Sequence, residues 1–168
     1  MQHLPPMSLP SREENHKIIP FAYYNTEPRN LIVGPKHYIL RDNISIISRT
    51  NADGFITHAN QAFIVTSGYS KEELIGSSQN IIRHPDMPRS VFKNLWETIS
   101  QGKIWEGHLK NLRKDGGYYW VHATIQPVME NGKPKSYTST RRKMDRETIQ
   151  MAEALYAEMR KSEKEQVQ

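Results

Sequence analysis

The sequence predicts an α+β domain, and three observations carry that prediction. Two short apolar segments joined by turn chemistry lie at residues 44–58. Three more, again separated by turn residues, lie at 104–143. Between the two sets run helix signals: a capping box, glycine stops and one strongly amphipathic stretch. Strands joined by hairpin turns run antiparallel, and helices clustered between strand runs mark α+β rather than alternating α/β.

Taken in order, residues 1–37 form an N-terminal arm rich in proline (Pro5, Pro6, Pro10, Pro20, Pro28, Pro35). No apolar period is sustained there. The expectation is a largely irregular arm that lies across the domain through the clusters Ile18-Ile19 and Phe21-Ala-Tyr-Tyr24. A domain over residues 38–144 follows. Ile44–Thr50 reads as a strand, Asn51–Gly54 as a turn and Phe55–His58 as a second strand. Asn60 opens a short helix, 61–67, stopped by Gly68. Ser70 and Glu73 form a capping box for another, stopped by Gly76.

The run Asn80-Ile-Ile-Arg-His-Pro-Asp-Met-Pro88 comes next and is the densest in ligand-positioning chemistry. Arg83 brings a fixed cation with a planar donor fork, His84 a titratable ring and Asp86 a carboxylate. Pro85 and Pro88 stiffen the backbone that carries them. Two readings stand together: a rigid grip for a ligand, or a helix start with Asp86 as the cap and Pro88 in the first turn. The helix after Pro88 keeps Val91, Phe92, Leu95, Trp96 and Ile99 on one face. Phe92 lies within a turn of the polar run, where it can wall a pocket. Strands at 104–112, 118–128 and 134–143 are separated by the turns 114–117 and 130–133. Tyr119, Val121, Ala123 and Ile125 alternate toward the core. Residues 145–168 form a C-terminal helix capped by Asp145, with an apolar seam of Ile149, Ala152, Leu155, Tyr156 and Met159, and a charged tail that frays after Ser162. That narrow seam fits docking on the domain or on a second copy.

Composition narrows the function classes. No cysteine is present, which removes disulfides, thiolate metal sites and cysteinyl–cofactor adducts. No eighteen-residue apolar run or secretory signal occurs, so no membrane span and a cytoplasmic setting are expected. The net charge of +5 is scattered, with Arg141-Arg142-Lys143 the densest group, and no nucleic-acid motif accompanies it. No nucleophile–base pair, metal spacing or phosphate loop points to an enzyme.

The order of elements over residues 40–143 resembles a PAS domain: a five-stranded antiparallel sheet with short helices on one face and a ligand chamber between them. Thr57-His-Ala-Asn60, Ser67-Gly-Tyr-Ser70, Arg83-His-Pro-Asp-Met-Pro88, Trp105-Glu-Gly, Lys110-Asn111 and Tyr119-Trp-Val121 resemble the PAS domain of the bacterial aerotaxis-receptor family. That resemblance implies non-covalent FAD and a role in redox or oxygen signalling. It implies that Asn60 sits at the chamber edge, that Arg83, His84 and Asp86 anchor the cofactor, and that Phe92 forms a wall. It further implies that Trp105 shields the ring, that Asn111 turns its amide to the pyrimidine edge, and that Arg141, on the last strand with Tyr137 and Ser139, lies near the reactive edge. Full chains of that family continue into membrane and signalling modules absent from this sequence. The expected output therefore passes to a partner protein in trans or through a homodimer. Two alternatives stay open: a PAS domain holding haem or another small molecule, with His84, His58 or His122 as ligand, and a ligand-free interaction module.

Overall fold

The computed structural model describes residues 1–9, 15–24 and 26–166. Two strands form the arm, β1 (Lys17–Phe21) and β2 (Arg29–Val33); the domain then runs β3 (Ile46–Asn51), β4 (Ile56–Ala59), α1 (Gln61–Ser67), α2 (Lys71–Leu74), a 3-10 turn (Gln79–Ile82), α3 (Arg89–Ile99), β5 (Trp105–Leu112), β6 (Tyr118–Glu130), β7 (Lys133–Lys143) and α4 (Arg146–Glu165). Strands β3–β7 build one antiparallel sheet in the order β4-β3-β7-β6-β5, in agreement with the α+β expectation. The β6–β7 hairpin turns at Asn131 (φ 52°) and Gly132 (φ 75°), two positive φ values in succession, which is why Asn-Gly stands there.

The inner face carries the core. Ile46, Tyr119, Val121, Leu112 and Ala123 are fully or nearly fully buried, and Phe63, Leu74, Ile81, Leu95 and Ile99 meet them from the helical layer. Burial of each large side chain contributes about 1.5–3 kcal/mol. The alternation along β6 is as the sequence predicts, with one addition: Trp120, on the other face, is also buried (3 % exposed). Helix α4 covers it, with the Trp120 and Tyr156 rings 6.0 Å apart and the Tyr156 hydroxyl donating to the His108 carbonyl at 2.7 Å. The α4 seam is narrower than the sequence suggests, because Leu155 is 58 % exposed while Ala152 and Tyr156 are buried. Nor does the helix fray at Ser162: Glu163 accepts from the Arg89 and Ser90 amides at 3.1 and 2.9 Å. The final two residues lie outside the described ones.

The arm departs from the irregular expectation. β1 and β2 pair antiparallel from Lys17↔Val33 to Phe21↔Arg29. No period announces them because β1 is mostly exposed on both faces, and Pro20 is admissible on a strand with a single neighbour. Pro10 and Asn25 lie outside the described residues. The arm packs on the helical layer: Gln2 donates to the Gly76 carbonyl and accepts from the Ser78 amide, Arg29 donates to the Ile81 carbonyl, and Leu4, Tyr23 and Leu31 are buried.

One close approach ties β5 to α3. The Trp105 indole lies against Gly107, where a Cβ would meet the ring at 2.4 Å, and its Nε1 donates to Asn94 Oδ1 at 2.9 Å. Gly107→Val is therefore expected to displace a pinned ring and destabilise the domain by about 1–3 kcal/mol. Urea unfolding beside the parent measures it; an unchanged midpoint would show that the indole moves freely.

Candidate functional site

A cavity of about 720 Å³ lies between the helical layer and the inner face of the sheet. That is within the range of roughly 300–1,000 Å³ typical of small-molecule sites. Four of the residues singled out in the sequence line it: Arg83, Phe92, Asn111 and Arg141.

The local sequence explains their convergence. Ser78 caps the 3-10 turn, which ends at Arg83 in an extended conformation. There the backbone of Arg83 forms an isolated antiparallel bridge with Asn111 of β5. The bridge joins the helical layer to the sheet and sets both side chains at one end of the cavity. The Arg83 guanidinium lies 4.0 Å from the Phe92 ring centroid and 5.7 Å from that of Tyr23. Arg141 enters from β7 and is 2 % exposed; its Nη2 donates to Ser48 Oγ at 2.6 Å, and its guanidinium lies 4.4 Å from the Phe63 ring. Tyr137 and Ser139, four and two residues before it, line the same cavity by strand alternation.

The electrostatics are unusual. Neither Arg83 nor Arg141 has a carboxylate partner among the described residues. Burial lowers the pKa of each. Arg141 Nε, Arg83 Nε and Asn111 Nδ2 are buried with no hydrogen-bond partner. Buried cations are normally paired, and buried amides normally bonded. These three donor atoms have no acceptor among the described residues, and the apolar walls (Phe92, Leu95, Ile99, Leu109, Ile125) leave a partly aromatic slot beside them.

The other four residues are placed elsewhere. Asn60 is the cap of α1, accepting from the Phe63 and Ile47 amides and donating to the Ser45 carbonyl, so it fastens α1 to the start of β3. Trp105 belongs to the Gly107–Asn94 joint and does not line the cavity. Asp86 pairs with Lys110 at 2.8 Å, and its carbonyl accepts from Arg160 of α4. Nor does Asp86 cap α3, whose N-cap is Pro88; Glu163 fills that role from across the fold. His84 is buried, its Nδ1 accepting from the Asp86 amide at 3.0 Å. His84 and Asp86 thus brace the turn that presents Arg83 and do not face the cavity.

Burial, aided by the nearby Lys110 charge, lowers the His84 pKa from 6.5 to about 3. The folded chain refuses a proton that the unfolded chain accepts below about pH 6.5, so stability falls as the pH drops through that window, by up to about 1.4 kcal/mol per pH unit. His84→Gln is expected to flatten this acid limb, which urea midpoints measured between pH 7 and pH 4.5 would record. An unchanged slope would locate the titration elsewhere.

Sequence reasoning missed several contributors. Trp96, at half-exposure, meets Tyr137 edge-on at 5.7 Å and lines the cavity mouth with Tyr24 and Gln79. Tyr23 donates its hydroxyl to the Arg83 carbonyl at 2.6 Å. Burial raises its pKa to about 12 against the Arg29 and Arg83 charges, which keeps it a donor. Only its place in an apolar cluster of the arm signalled it. No histidine lines the cavity, and His58, His84 and His122, the candidate haem ligands, all lie outside its lining. The open volume also differs from the side-chain-filled chamber expected of a ligand-free module.

Comparison with known proteins places this geometry. The family model described as PAS fold matches residues 56–141. The aerotaxis receptor of Escherichia coli (strain K12) is 42% identical over 117 residues, 70% of this chain and 23% of the receptor. The nitrogen fixation regulatory protein of Klebsiella pneumoniae is 35% identical over 97 residues, 57% of this chain and 20% of that protein. The chain thus spans less than a quarter of the length of these curated relatives. Among solved structures, a PAS domain from Colwellia psychrerythraea superimposes with a TM-score of 0.51 at 29% identity, covering 61% of this chain and 89% of that one. The light-state LOV domain of the blue-light photoreceptor Aureochrome1 shares the fold, with a TM-score of 0.58 at 19% identity over 63% of this chain and 86% of that one. With the family model matching more than half of it, the chain belongs to the PAS fold family, and its PAS domain resembles that of the aerotaxis receptor.

Proposed function

We propose that this chain is a flavin-binding PAS sensor that holds FAD non-covalently, reads redox state or oxygen, and passes a conformational signal to a partner protein in trans or to a second copy. One observation carries the reading: a buried arginine, Arg141, and a half-buried one, Arg83, neither with a carboxylate partner among the described residues, converge with an unbonded buried amide on one partly aromatic cavity. A flavin dinucleotide suits this donor set, having an anionic diphosphate, carbonyl acceptors on a flat ring and no need of a metal or thiolate. The residue pattern shared with the aerotaxis-receptor family supports FAD over other flavins.

When bound, the flavin supplies reversible electron uptake with a change of charge. The protein's part is to hold that charge. Arg83 and Arg141 offer positive charge from the helical and sheet sides, Asn111 offers an amide to ring oxygens, and Phe92 packs on the Arg83 guanidinium. The backbone of the same segment is gripped by both chain ends. Tyr23 of the arm holds the Arg83 carbonyl, while Arg160 and Glu163 of α4 hold the Asp86 carbonyl and the α3 amides. A change in what Arg83 contacts is thus linked through that segment to the arm and to α4, the two elements able to shift between arrangements. The scheme involves no turnover.

The test is to express the chain with ample riboflavin, record its visible spectrum, and identify the released molecule by chromatography after denaturation. A yellow protein releasing near-stoichiometric FAD is expected. A colourless protein that takes up no added FAD would sink the proposal, and a Soret band would move it to haem.

A further inference from the structure

The outer face of the sheet carries a histidine pair that the cavity does not use. His108 on β5 and His122 on β6 are direct cross-strand partners. Their ring centroids lie 5.3 Å apart with the planes inclined by 58°. Both rings are half-buried beside α4. His108 Nδ1 is buried without a hydrogen-bond partner. Burial and the neighbouring His122 lower the His108 pKa, with Asp145 opposing.

We propose that His108 and His122 form a two-histidine site for a divalent transition ion of the zinc type. Imidazole nitrogen is a ligand of choice for such ions. A tetrahedral ion with bonds of about 2.0–2.1 Å sets the centroids of two ligating imidazoles roughly 5 Å apart. The observed separation of 5.3 Å already meets that requirement. Cross-strand pairing holds the two Cβ atoms at a fixed distance, so side-chain rotation alone aims the nitrogens, at little entropic cost. Among the described residues no group of three or more His, Asp or Glu side chains is arranged for a metal ion. Two protein ligands, with water in the remaining positions, complete the sphere. Arg142, opposite His122 on β7, is an exposed cation that opposes a bound ion. A bound ion would staple β5 to β6 beside the His108 carbonyl that anchors Tyr156, and so stiffen the seat of α4.

The site lies on the opposite face of the sheet from the cavity and does not depend on the flavin reading. The experiment is a calorimetric titration of the tag-free full chain with zinc at pH 7.5, together with histidine-ring NMR. One zinc per chain is expected, with ring shifts confined to His108 and His122. His108→Gln and His122→Gln should each weaken binding by about tenfold or more. Arg142→Ala should tighten it, and lowering the pH should weaken it as protons compete for the rings. Absence of zinc uptake by the parent chain would overturn the proposal. So would zinc binding that persists undiminished in His122→Gln, or ring shifts at His3, His16, His37 or His58 instead.

Discussion

Arg141→Met is expected to strip the flavin from the purified protein while leaving the sheet intact. Arg141 is 2 % exposed, and among the described residues its side chain hydrogen-bonds only to Ser48 Oγ and meets no carboxylate. Removing one partner of a buried, charge-assisted contact costs about 2–4 kcal/mol, or roughly 30- to 1,000-fold in dissociation constant. Protein freed of ligand should respond in the opposite sense. There the guanidinium is a desolvated cation in low dielectric, and methionine of similar length fills the same space beside Phe63 without that cost. The ligand-free variant should therefore unfold at the same urea concentration as the ligand-free parent, or at a higher one. Flavin content after purification and the paired urea curves read both effects. Full flavin retention by Arg141→Met would remove Arg141 from the site. A large fall in ligand-free stability would make it a structural residue. Asn111→Ala provides the neutral comparison: it takes away the unbonded amide but no charge, so a smaller loss of affinity is expected.

The second large effect is expected at the far side of the sheet. Tyr156→Ala should destabilise the chain by about 3–5 kcal/mol and release α4. Tyr156 is 7 % exposed, packs on Trp120 and donates to the His108 carbonyl, and it is the largest buried side chain of its helix. Once it is gone, α4 keeps the small Ala152, the partly buried Ile149 and Met159, and the polar contacts of Arg160 and Glu163. Tyr156→Phe loses the hydroxyl alone and should cost about 1 kcal/mol. Urea unfolding gives the magnitudes, and a red shift of tryptophan emission on exposure of Trp120 reports the undocking. A variant with parental stability and emission would show that α4 is held by its polar contacts. In the sensor reading, freed α4 also uncaps α3, so flavin affinity should fall in Tyr156→Ala without any change to a cavity residue.

Local chemistry made much of the fold legible. The alternation of β6, the Ser70–Glu73 capping box, the Asn-Gly turn and the 3.6-residue period of α3 each depend on neighbours a few positions apart, and each stands where the sequence puts it. The absence of cysteine settled which chemistries the chain lacks. Arg83, Phe92, Asn111 and Arg141 could be singled out because their residue types and strand or helix phases are local properties as well.

What tertiary structure alone decided is where polar groups find their partners. Asp86 has the composition and position of a helix cap, yet Lys110, 24 residues away, claims its carboxylate, and Glu163 caps α3 in its place. Trp105 reads as a shield for a ring until Gly107 and Asn94 are seen to hold it. β1 lacks an alternating pattern because a mostly exposed strand needs only backbone pairing, and Tyr23 acquires its role from a carbonyl 60 residues away. A hydrogen bond is indifferent to sequence separation, whereas periodicity and capping are not. The frame of the cavity was therefore written in the chain, and the division of its polar residues into those facing the cavity and those bracing it arose only on folding.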